Sequence, residues 1–175
     1  MKEISKKDLK ILSLDFRRIA SRLLKCNYAT GMDLLRKFLA FIDENEIIAD
    51  YISRHVNPND FTSVAKGTMF SSMGDTKQQE ISRTYLYLKY CASHFSQYYN
   101  DMAFFYASDM KEAIKEFNDR IIFPFVDHIV GYLIEIEIQM GYDEDKKFII
   151  NMNGGVAQVN VADGHATVTA QQSGE

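Results

Sequence analysis

The sequence predicts a mainly α-helical protein: a bundle of about five helices followed by a short C-terminal β-strand tail. Three observations carry this. Apolar residues recur at helical spacing through most of the first 142 residues. Only two prolines interrupt 175 residues, and glycine is concentrated late. After Gly141 the grammar changes, to short apolar runs separated by Asn-Gly-Gly and Asp-Gly. The expected organisation is a helical bundle over 1–142, a charged linker over 143–147 and a β-prone tail over 148–175.

The first helix is expected to start at Ser5, with Asp8 completing a variant of the capping box. Leu9, Leu12, Phe16, Ile19 and Leu23 then mark its apolar face, with Lys7, Arg18 and Lys25 opposite. Asn27 to Gly31 is a turn, after which Thr30 with Asp33 is expected to cap a second helix carrying Leu35, Phe38 and Ile42. A joint near Asp43–Asn45 separates it from a third segment with Ile48, Ile52 and Val56, because Asp and Asn favour helix ends over interiors. Asn57-Pro58-Asn59-Asp60 is a loop. A short helix over Phe61–Lys66 and a loop over 67–74 follow.

The next helix is expected from Asp75, with Ile81, Tyr85, Leu88, Ala92, Phe95 and Tyr99 in alternating steps of four and three. That seam suits antiparallel neighbours. Asn100-Asp101 is expected to end it. The last long helix runs from about Asp109 to Met140 and carries Ile114, Phe117, Ile121, Phe125, Ile129, Leu133 and Ile136. Pro124 removes one backbone bond in its middle, so a kink is expected near residues 120–124. Phe148–Met152, Val156–Val161 and Ala166–Ala170 read as three short strands.

The tail poses an energetic question. Ordering some 25 residues costs roughly 35–40 kcal/mol, and its Val, Ala, Thr, Gln and Asn side chains bury little apolar area. An isolated hairpin is marginal in water. The tail is therefore disordered, docked on the helical body, or paired with tails of other copies, and pairing is the favoured expectation. Ile149, Val156, Gln158, Val159, Asn160, Val161 and Val168 would form the pairing surface. Gln158 and Asn160 alternate with Val159 and Val161, and amide side chains can ladder between stacked identical strands.

The tail IINMNGGVAQVNVADGHATVTAQQ resembles C-terminal segments of small bacterial proteins, some of which occur beside abortive-infection and other phage-defence genes. The body segment DLLRKFLAFIDENEIIADYI is also similar to them in character. The resemblance implies a setting in phage defence or stress response, and no particular chemistry.

Charge and motifs exclude several function classes. A net charge of −4 argues against a general nucleic-acid coat. No run approaches the roughly 18 apolar residues of a membrane span, and the N-terminus lacks the apolar core of a secretory signal. A cytoplasmic location is expected. Cys26 and Cys91 have no paired spacing, so neither a disulfide framework nor a zinc site is expected. No cofactor is expected, because phosphate-binding loops, dinucleotide fingerprints and serine elbows are missing.

His55, His94, His128 and His165 share no metal-binding spacing. Glu135/Glu137 and Asp143/Asp145 suit a cation only weakly, since residues two apart on a helix diverge. A helical ribonuclease of the HEPN type needs an Arg followed by four to six residues and a His. Arg120 and His128, eight apart, are the nearest approach, and they could converge only across a kink at Pro124.

The first 26 residues carry eight basic and three acidic side chains, a net of +5 that leaves −9 for the remainder. Lys7, Arg18, Arg22 and Lys25 are thus a candidate nucleic-acid contact, with Tyr85, Tyr87, Tyr90, Tyr98 and Tyr99 as candidate stacking partners. A solvated helix face and core tyrosines are the plainer readings. The sequence therefore favours a self-assembling, non-enzymatic interaction protein, a homo-oligomer through its tail with a further protein partner. A divergent helical ribonuclease and a nucleic-acid-binding module are the alternatives.

Overall fold

The computed structural model describes residues 4–60, 73–94 and 109–141, and the backbone alone of 147–153 and 156–162. The protein is mainly helical. Its described helices are α1 (Lys6–Leu24), α2 (Gly31–Glu44), α3 (Glu46–His55), α4 (Lys77–Ser93) and a long α5 made of three contiguous stretches, Met110–Phe117, Asn118–Ile122 and Phe123–Gln139. The expectations for Phe61–Lys66, 67–72, Phe95, Tyr98, Tyr99, Asn100–Asp101, 143–146, His165 and the strand Ala166–Ala170 with Val168 lie outside the described residues.

Local chemistry explains most helix ends. The Ser5 hydroxyl accepts a hydrogen bond from the Asp8 backbone N–H at 3.1 Å and donates to the Asp8 carboxylate at 2.6 Å, satisfying one of the orphan donors of the first turn. Asn45 forms the joint between α2 and α3, and its side-chain amide donates to the Phe41 carbonyl at 2.6 Å. Asp109 caps α5 through the Lys111 N–H. Gly141, with φ +73°, follows the end of α5 in a conformation that favours glycine.

Three details differ from expectation. The Thr30 hydroxyl is bonded to Asn27 rather than to the start of α2: Asn27 and Thr30 exchange side-chain and backbone bonds of 3.0–3.3 Å and close the turn by themselves. α4 begins at Lys77, capped by Thr76, rather than at Asp75. Thr76 Oγ1 accepts from the Gln79 N–H, while Gln79 Oε1 takes the Asp75 N–H, a reciprocal clamp related to the capping box. The buried face of α4 is also rotated from the expected seam. Ile81 and Leu88 are buried as expected, but Thr84, Tyr87 and Cys91 join them, and Tyr85 and Ala92 lie at the margin.

Within α5, Asn118–Ile122 is a π turn, with the Phe123 N–H donating to the Asn118 carbonyl five residues back. Pro124 follows after one residue, Phe123, so the widened turn sits in the place where the sequence predicts a disturbance.

The helices share one core. α1 packs on α2 and α5, α2 on α3 and α4, and α4 on α3 and α5. Phe38 is at the centre, its ring 5.8 Å from that of Phe16 and 6.3 Å from that of Phe125 in an edge-on contact. All three are fully buried. Asn118 is one of four buried polar residues among those described, with Ser13, Ser82 and Thr84. Its amide donates to the Leu23 and Leu24 carbonyls at 3.4 and 3.2 Å, which satisfies the end of α1 from another helix.

A candidate partner-binding groove

The packing leaves an open groove of about 1220 Å³ between α1, the α2–α3 joint and the last turns of α5. Its floor is apolar, with Ile4, Ile11 and Leu12 from α1 and its approach, Phe41 and Ile47 from either side of the joint, and Ile136 from α5. Its walls are acidic. Asp8, Asp15, Glu44, Glu46, Asp50 and Glu135 line it, against Arg54 as the one basic lining residue among the described residues.

The carboxylates are not all accounted for by partners. Asp15 pairs with Arg18 at 3.2 Å and Asp50 with Arg54 at 2.9 Å, both at exposed positions. Glu44, Glu46 and Glu135 make no ion pair among the described residues. Glu46 is stabilised by the N-terminus of α3, where the helix dipole favours negative charge. Glu44 and Glu135 have no such compensation.

At one end of the groove the surface becomes aromatic. Tyr132 stacks on Tyr51 with ring centroids 4.0 Å apart and planes at 12°, and Arg54 donates to the Tyr132 hydroxyl at 3.1 Å. Tyr51 is buried and its hydroxyl points to the His128 carbonyl at 3.4 Å. Burial holds the Tyr51 phenol above its ordinary pKa, opposed by a hydrogen bond with Lys77 and its charge. Tyr51 therefore stays neutral and serves as a stacking base.

The residues singled out from the sequence fall in separate places. His128 Nε2 lies 2.7 Å from Glu80 Oε2 across the α4–α5 contact, whereas Arg120 is ion-paired at 2.9 Å with Glu116, one turn back on its own helix. His55 and His94 each bond the carbonyl four residues earlier through Nδ1. Lys7, Arg18 and Arg22 are exposed on α1, and Lys25 is exposed at its C-cap. Tyr87 is buried against Phe117, and the Tyr85 hydroxyl is bound to Asp43. These two tyrosines are thus withdrawn from any stacking surface.

The groove was not among the sequence-derived candidates. Its walls come from positions between 4 and 139, so no local motif announces it. One local signal existed: Ile4, Asp8, Ile11, Leu12 and Asp15 form a second stripe of α1, beside the buried one. Among the described residues no three His, Cys, Asp or Glu side chains are grouped to hold a metal ion, and no helix is long and apolar enough to cross a membrane. No protein-family model matches the chain, nor does any curated protein or solved structure.

Proposed function

We propose that the protein is a non-enzymatic interaction protein that self-assembles, with the C-terminal tail joining copies and the helical body offering its acid-walled groove to a protein partner. The groove is the observation that carries this reading. An apolar floor walled by six carboxylates and one guanidinium is electrostatically one-sided, and a basic, partly apolar protein surface would match both features. The setting, bacterial phage defence or a stress response, rests on the resemblance of the tail.

What supports the tail's part is its backbone register. Lys147–Asn153 and Val156–Ala162 run antiparallel, with Ile149 opposite Asn160, Ile150 opposite Val159 and Asn151 opposite Gln158. A two-stranded ribbon has two open edges, and each is a template for another strand.

The test is the mass in solution, by light scattering, of the full chain and of a chain ending at Gly141. A defined oligomer for the first and a folded monomer for the second are expected. Equal masses would remove the tail from assembly.

One observation favours an enzymatic alternative: the half-buried Glu80–His128 pair, with Lys77 one turn before Glu80. A helical ribonuclease built there would lose cleavage of single-stranded RNA on His128→Ala. Absence of cleavage by the native chain disposes of it.

A further inference from the structure

The geometry points to a single basic amphipathic helix, supplied by another protein, as the occupant of the groove. This rests on the reading of the groove as the partner-binding site, and it names the form and the charge of what binds there.

The form follows from the walls. Asp8, Ile11, Leu12 and Asp15 recur at helical spacing along α1, and Glu46, Asp50 and Arg54 along α3. Tyr132, Glu135, Ile136 and Gln139 do the same along α5. Each stripe covers about two turns, roughly 10–12 Å. A cleft framed by helical stripes takes another helix, whose side-chain ridges fit between theirs. The backbone groups of the walls are bonded within their own helices, so an extended strand finds no edge to join. An occupant that spans the stripes and passes a little beyond them has about three to four turns.

The pattern of the occupant follows from the lining. Ile11 lies on the floor and is 47% exposed, a large aliphatic left half open. Leu12, Phe41, Ile47 and Ile136 beside it are half-buried. This floor suits apolar residues at i, i+3, i+4 and i+7 on one face of a helix. The acidic walls suit Lys or Arg on the flanks of that face.

The charge is not met from within. Arg54 is held by Asp50 at 2.9 Å and donates to the Tyr132 hydroxyl at 3.1 Å. It therefore leaves Glu44, Glu46 and Glu135, which make no ion pair among the described residues. A cationic helix meets these three without breaking an existing pair. A nucleic acid is the poorer occupant, because the same carboxylates repel phosphate.

Fluorescence anisotropy on the full chain tests the proposal. The probes are a labelled Leu/Lys peptide of about four turns, with its leucines on one face, and a scrambled peptide of the same composition. The native chain should bind the first about tenfold or more tightly than the second. Glu44→Lys with Glu135→Lys should weaken that binding about tenfold or more, and so should the exposed change Ile11→Gln. Asp75→Lys with Asp127→Lys makes the same change of charge at exposed positions outside the groove. That pair should leave the affinity within about twofold. Circular dichroism confirms that each variant is folded. Failure of the native chain to bind the amphipathic peptide overturns the proposal. So does an equal loss in the Asp75/Asp127 pair, which marks attraction to the acidic chain as a whole. Equal binding of the scrambled peptide, still lost with Glu44→Lys/Glu135→Lys, overturns the helical occupant and leaves the broader reading of a basic partner standing. A halved mass for Ile11→Gln in light scattering, with no peptide bound by the native chain, gives the groove to a second copy instead. None of these results depends on the tail, whose part the truncation tests by itself.

Discussion

His128 Nε2 stands 2.7 Å from a carboxylate oxygen of Glu80, and this pair ties the first turn of α4 to the middle of α5. The side chains are 20% and 36% exposed, so the contact is sheltered without being dry. A part-buried pair of this kind is worth about 1 kcal/mol. Glu80→Gln is expected to lower stability by roughly that amount. His128→Ala should cost about 1–2 kcal/mol, because it also removes packing. Urea unfolding of both singles and the double variant measures their coupling, which vanishes if the contact is incidental.

The Tyr85 hydroxyl donates to Asp43 at 2.7 Å, and Lys89 holds the other oxygen of the same carboxylate at 2.6 Å. Burial, then the hydrogen bond to Asp43 and its negative charge, raise the Tyr85 phenol well above its ordinary pKa of 10.0. The native chain therefore keeps a proton that the unfolded chain releases above pH 10. Protons bound in excess by the native state mean stability falls as pH rises through that window. Tyr85→Phe is expected to cost about 1 kcal/mol at neutral pH. Its deficit relative to the native chain should shrink between pH 10 and 11 in thermal melts. A constant deficit would show that this phenol titrates normally.

Asn118 donates to two carbonyls at the end of α1, and its own side-chain oxygen is buried with no hydrogen-bond partner among the described residues. Asn118→Ala should cost about 2–3 kcal/mol, from lost caps and a small cavity. Asn118→Asp should be worse, about 3–5 kcal/mol, since it sets a buried carboxylate against carbonyl oxygens. Denaturant unfolding gives the order of the two variants. An aspartate better tolerated than alanine would contradict the capping role.

These contacts mark the limit of sequence reasoning here. Ser5, Asn45 and Asp109 were legible because a helix end is governed by side chains within a few positions of it. Thr30 misled because Asn27, three residues earlier, offered it a competing partner. The α4 seam was misplaced because heptad spacing tolerates a small rotation, and the neighbours that decided it, α3 and α5, are distant in sequence. Asn118 reads as an ordinary polar helix residue, since its targets are 94 and 95 positions away. The groove was hidden for the same reason, as its walls acquire meaning only once α1, the joint and α5 are side by side.

The π turn in α5 has a geometric consequence for the core. Phe117, Ile121, Phe125, Ile129 and Leu133 advance in steps of four. On a regular α-helix each such step overshoots a full turn by about 40°, so the row would drift off its face. The widened turn at Asn118–Ile122 resets that drift and lets one row of large side chains stay buried along both halves of the helix. Those five residues act as a phase corrector. Deleting one of them would leave four residues to close an ordinary α turn of about 400°, close to the rotation the widened turn spans, and would keep Phe125 turned toward Phe38, whereas a deletion elsewhere in α5 would swing everything beyond by about 100°. This stretch is thus where α5 absorbs a one-residue change in length, and the regular helix on either side of it is where length is tightly constrained.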